Sequence, residues 1–124
     1  MKATKYWPNE SFWESKILFF ETSEEKPSPR QVGYMLRNYG MQGIFSRVNG
    51  MIFGRAKDYT EAEKAELNQI ILDLAQKEFR ASQLPIVVDF DFGHTDPKLL
   101  LPLGGKARLD GIANEIILLD SPFC

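Results

Sequence analysis

Lys16-Ile17-Leu18-Phe19-Phe20 is a short run, apolar after its first residue, that stops abruptly at Glu21-Thr22-Ser23-Glu24-Glu25-Lys26. A run of that length bounded by polar residues reads as a buried strand. A helix start follows it. Ser28 stands as N-cap, Pro29 at the first helical position and Gln31 three residues after the cap. Val32, Met35, Leu36 and Tyr39 form the apolar stripe of this helix, and Gly40 is read as its stop. A strand and then a capped amphipathic helix point to a layered α/β arrangement, provided the alternation continues.

It continues. Gly43 to Arg47 and Met51 to Phe53 are short strand candidates separated by Asn49-Gly50, a strong two-residue turn signal. Two readings stay open: a hairpin, or Gly50-Met51-Ile52-Phe53-Gly54 entering the main sheet alone. Thr60-Glu61-Ala62-Glu63 is a second capping box. Its helix runs to about Phe79, with Leu67, Ile70, Ile71, Leu74 and Ala75 on one face. Leu84 to Phe90 is a β-branched, buried-type strand, and Gly93 to Pro97 a loop. Lys98 to Leu109 and Glu115 to Leu119 read as late strands paired across Asp110 to Asn114. The order β, α, β, β, α, β, then strands, predicts an α/β domain with a smaller second sheet. Its core is expected to hold Ile17, Leu18, Leu36, Ile70, Ile71, Leu74, Val87 and Val88. The first fifteen residues carry Trp7, Phe12 and Trp13 among Pro8, Asn9 and Ser11, and read as an irregular segment that packs on something.

With 124 residues, 44% apolar and 26% charged, residues 1–124 fit one domain with an ordinary core. A net charge of −2 lacks the footprint of a nucleic-acid or anionic-membrane binder. The longest apolar runs are four residues and the first residues resemble no signal peptide, so no membrane partner and a cytoplasmic location are expected. The single Cys124 is terminal, which leaves no internal disulfide and no Cys/His zinc site. A catalytic histidine, if there is one, is His94.

Two places put polar groups where an apolar strand ends: Glu21, and Gly93-His94-Thr95-Asp96-Pro97. In open α/β sheets ligands bind at the carboxyl ends of strands. A carboxylate beside an imidazole fixes its tautomer and stabilises its protonated form, which is two-thirds of a hydrolase triad. The plainer readings are a solvated glutamate and a turn histidine. Asp89, Asp91, His94 and Asp96 also invite a metal reading, since carboxylates and imidazole are ordinary ligands. Against it, Asp89 and Asp91 alternate with Phe90 and Phe92, as on a half-exposed strand end, and no cofactor is expected. None of the seven serines lies in a Gly-x-Ser-x-Gly elbow, and Gly104-Gly105-Lys106 is no phosphate loop. The residues by themselves spell half an active site or none.

Trp13 to Glu25, Gly50 to Arg55, Phe92-Gly93-His94-Thr95-Asp96-Pro97 and Leu101-Pro102-Leu103-Gly104 together resemble the LD-carboxypeptidase family, over about Lys5 to Phe123. The Glu-Thr-Ser-Glu-Glu form is closer to its microcin-C immunity branch than to its murein tetrapeptide branch. The resemblance implies the C-terminal domain of a two-domain serine peptidase. That domain has a swivelling β/β/α-type fold: a mixed sheet, two main helices and a smaller strand-rich second layer. It implies that Glu21 and His94 are the glutamate and histidine of a Ser-Glu-His triad. The serine would come from an N-terminal Rossmann-like domain that the resemblance does not cover, so an excised domain or short gene product, inactive alone, is expected. The substrate would be an amide near a carboxyl terminus, either a murein L,D bond or a microcin-C-like acyl nucleotide. Arg55 is a candidate for a substrate carboxylate, set against a plain surface arginine. The alternative function is a non-catalytic docking module with Trp7, Phe12 and Trp13 as its partner surface; a homodimer is a further partner considered.

Overall fold

The computed structural model describes residues 6–121. Strands β1 (Ile17–Phe20), β2 (Gly50–Gly54) and β3 (Ile86–Phe90) form one sheet in the order β1-β2-β3, and β4 (Ala107–Asp110) and β5 (Glu115–Leu118) a second. Helix α1 (Pro29–Met41) connects β1 to β2, and α2 (Glu61–Leu72), continued by a π-helical turn over Asp73–Glu78, connects β2 to β3. The three-stranded sheet is parallel and the β4–β5 hairpin antiparallel, so the two pairing modes divide between two sheets. Parallel neighbours need long crossovers, and the two helices supply them.

Both helices begin where their sequence signals place them. Ser28 and Gln31 exchange side-chain and backbone hydrogen bonds at the head of α1, as Thr60 and Glu63 do at the head of α2. The end of α1 departs from expectation. Gly40 lies inside the last turn, and the stop is Gly43 at φ +74. The N–H of Ile44 donates to the Tyr39 carbonyl and that of Gly43 to the Gly40 carbonyl, which is the Schellman arrangement. Gly40 serves packing instead: a Cβ there would sit 2.3 Å from the Phe79 ring.

Gly43 to Arg47 is a turn and not a strand. The N–H groups of Arg47 and Val48 both return to the Ile44 carbonyl, which buries Ile44, Phe45 and Val48 in the core. The hairpin reading fails, and Gly50–Gly54 enters the main sheet alone, its ladder opened by Asn49 N–H to the Lys16 carbonyl at 2.7 Å. The late strand is shorter than Lys98 to Leu109, with only Ala107–Asp110 paired. The hairpin turn over residues 111–114 stands as read, its amides at Ile112 and Ala113 bound by the Asp110 carboxylate.

The domain is three-layered. Met51 and Phe53 face the helices and pack with Val32, Leu36, Leu67, Ile71 and Leu74. Ile17, Phe19 and Ile52 face residues 101–107 and β5 across the other side of the sheet. Leu109 lies against Gly50 so closely that a Cβ there would meet its Cδ1 at 2.4 Å. Leu36, Ile71 and Leu74 are fully buried as expected. Ile17, Leu18, Val87 and Val88 are only half-buried, because β1 and β3 are the edges of a three-stranded sheet, and Ile70 on α2 is half-buried as well. Trp7 and Trp13 pack on each other and on Tyr39 and are half-buried, which leaves Phe12 the most exposed of that trio. Among the described residues no helix is long and apolar enough to cross a membrane.

Candidate active site

Because the sheet is parallel, the carboxyl ends of its three strands share one edge. Glu21 follows β1, Arg55 follows β2, and the loop after β3 carries His94. Two features aim that loop. The β2–β3 register shifts between Ile52 and Gly54, and Asp89 occupies the resulting bulge at φ +55. Gly93 then turns at φ +96 directly over Glu21, where a Cβ would lie 2.5 Å from Oε2. Glycine is required there on both counts, backbone angle and space.

The consequence is contact between residues 73 positions apart. His94 Nδ1 lies 3.4 Å from Glu21 Oε2, with both side chains partly exposed. That separation is slightly longer than a formed hydrogen bond, and a small side-chain rotation closes it. The loop bearing Glu21 is itself anchored from behind. The Tyr59 hydroxyl donates to the Pro27 carbonyl, and Lys26 pairs with Glu63 at 3.1 Å. Glu63 is held below the usual carboxylate range, first by the Thr60 backbone N–H and then by the Lys26 ammonium.

Arg55 is engaged within the chain. One terminal nitrogen lies 3.0 Å from Asp91 Oδ1 and donates to the Pro97 carbonyl. The metal arrangement does not form: Asp91 faces Arg55, His94 faces Glu21, and Asp89 points out from its bulge. Among the described residues no three His, Cys, Asp or Glu side chains gather at coordinating range.

A cavity of about 250 Å³ adjoins Glu21, walled by Phe20, Val32, Met35, Phe53 and Leu67. The buried Thr22 hydroxyl beside it has no hydrogen-bond partner. A larger cleft of about 540 Å³ lies at the opposite end of the sheet, among Ser15, Asn49, Arg80 and Pro85, away from the Glu21–His94 pair. Sequence reasoning named Glu21, the Gly93–Pro97 loop and, as a metal candidate, Asp91, but missed the packing of Gly93 over Glu21 and the roles of Asp91 and the Pro97 carbonyl as partners of Arg55. A glycine directly before a histidine at a strand end was the available signal for the first. The other two have none, because they act through a residue on another strand.

The LD-carboxypeptidase C-terminal domain matches residues 1–109. The "Putative carboxypeptidase slr1534" of Synechocystis sp. is 30% identical over 107 residues, covering 86% of this chain and 35% of that protein. A "Putative carboxypeptidase" of Treponema pallidum is 26% identical, covering 89% and 30%. Among solved structures, an MccF-like protein from Streptococcus pneumoniae in complex with AMP is similar at TM-score 0.76 and 36% identity, over 92% of this chain and 31% of that one. The muramoyltetrapeptide carboxypeptidase from Oxalobacter formigenes is similar at TM-score 0.64 and 26% identity, over 83% and 35%. The chain thus spans about a third of the length of each of these proteins. Parallel sheet, flanking helices and this match over most of the sequence place the chain in the LD-carboxypeptidase family, to whose C-terminal domain it corresponds.

Proposed function

We propose that this domain supplies the glutamate and histidine of a Ser-Glu-His triad that hydrolyses an amide near a carboxyl terminus in the cytoplasm. The observation that carries it is the Glu21–His94 approach at the shared strand ends. A neutral imidazole that donates Nδ1–H to Glu21 presents Nε2 as a free base. His94 Nε2 then takes the proton of a serine hydroxyl as its oxygen adds to the amide carbon. The same proton passes to the departing amine as the C–N bond breaks, leaving an acyl ester on the serine. Water repeats the sequence, giving its proton to His94 and releasing the acid and the free serine. The carboxylate orients the ring and stabilises its cationic form throughout.

The serine is assigned to a partner domain, corresponding to the two-thirds of the relatives that this chain does not span. An apolar surface beside the site supports that assignment: Leu99, Leu100 and Leu103 follow the His94 loop at 56%, 89% and 80% exposure. The higher likeness to the MccF-like structure favours an acyl-nucleotide amide as substrate over a murein L,D bond. The test is hydrolysis of both substrate types by the chain alone and after addition of a serine-bearing domain from such a relative. No turnover is expected alone, and turnover with the partner, lost in His94→Ala. Turnover by the pure chain, or a His94→Ala pair with full activity, removes the triad reading.

A further inference from the structure

We propose that Arg55 is a positioning residue for His94, tying the loop after β3 to the end of β2 so that the imidazole stays over Glu21. This deepens the triad reading and rests on it for its catalytic meaning.

Asp91 and Pro97, the two partners of the Arg55 guanidinium, stand three residues before and three residues after His94. A single planar group therefore pins both flanks of the histidine loop. The Arg55 backbone N–H adds a bond to the Phe90 carbonyl at 3.1 Å, extending the β2–β3 ladder to the loop's base. Leu99 N–H closes the other side on the Asp91 carbonyl at 2.6 Å. Arg55 Nε is buried without a partner, so the guanidinium is drawn down between strand and loop at some cost in hydration. Gly54, just before it, lets the loop settle: a Cβ there would lie 2.7 Å from the Phe92 carbonyl oxygen. A guanidinium suits this place because one of its terminal nitrogens, held in the plane of the group, reaches Asp91 and Pro97 together, whereas a lysine ammonium is a compact point charge on a flexible stem.

The histidine loop is thus held from one side by Arg55 and limited on the other by the Gly93–Glu21 contact. Loss of the arginine frees both flanks without touching either triad side chain. An arginine reserved for a substrate carboxylate would leave the empty loop unchanged when it is replaced.

The experiment is heteronuclear NMR on the 124-residue chain, which needs no turnover. In mildly alkaline solution the wild-type His94 ring is expected as the Nδ1–H tautomer, with the Leu99 amide protected from exchange. Arg55→Gln and Asp91→Asn should each speed Leu99 exchange by about tenfold or more and shift the ring toward the mixed tautomers of a free imidazole, while the α2 amides stay protected. Arg55→Lys should restore these signals incompletely. The two neutral variants combined should be no worse than either alone. Unchanged Leu99 exchange and ring tautomer in folded Arg55→Gln and Asp91→Asn overturn the proposal. The two readings fail separately. If wild type gives no hydrolysis with a serine-bearing partner while Arg55→Gln still loosens the loop, the triad is wrong and the tether stands. If activity is restored and Arg55→Gln raises KM alone with the loop intact, the arginine binds substrate instead.

Discussion

Gly93 lies so close over Glu21 that the space for a methyl group between them is already taken, 2.5 Å from the carboxylate oxygen. With φ at +96, alanine at this position is strained by backbone and neighbour together. Gly93→Ala should leave the helices folded yet push Glu21 and His94 apart. The check is loss of the Glu21–His94 contact in a structure of the variant, together with loss of any turnover restored by a serine-bearing domain. A variant that keeps the contact would mean the loop tolerates displacement the packing forbids.

The helix-side core should respond very differently from the site. Ile71 and Leu74 are each 2% exposed, and truncation of either to alanine should cost about 2–5 kcal/mol. Against a typical total stability of about 5–15 kcal/mol, that is readily seen in denaturant unfolding. Glu21→Gln and His94→Ala, both at partly exposed positions, should change the midpoint little.

Gly40 offers a third test. Its missing side chain is what lets the Phe79 ring close on α1. Gly40→Ala gains helix propensity but overfills the contact, and the expected net loss is about 1–3 kcal/mol. Adding Phe79→Leu should recover part of it, read as a non-additive double-mutant cycle in thermal unfolding.

Acid should destabilise the domain through identifiable groups. Lys77 and then Gln69 hold Asp73 below the usual range, Arg37 does so for Glu78, and the Ala113 and Ile112 amides for Asp110. Glu63 shares the direction. Because the folded forms bind protons less readily, the unfolded chain is the more protonated state in acid. Their contribution is therefore complete above the ordinary carboxylate range near pH 4 and is lost as pH falls through the lowered values. Melting temperature should be flat near neutrality and decline below about pH 4, and Glu78→Gln should flatten that decline.

What the sequence by itself determined was whatever is encoded within a few residues: both capping boxes, the apolar runs of β1 and β3, the turn of the late hairpin, and the two polar strand ends carrying Glu21 and His94. Those signals are local because caps, turns and alternation are satisfied by neighbours in the chain. Tertiary structure decided the rest. Gly40 looked like a helix stop because glycine is permissive in either role, and only the approach of Phe79, far along the chain, assigns it to packing. Gly43 to Arg47 looked like a strand because Ile44 and Phe45 are apolar, yet the segment is a turn that buries those two side chains in the core. Arg55 looked like a free cation until the chain brought Asp91 and Pro97 back to it. Pairings over such separations leave no periodic trace, since they depend on where the crossovers set one strand end beside another.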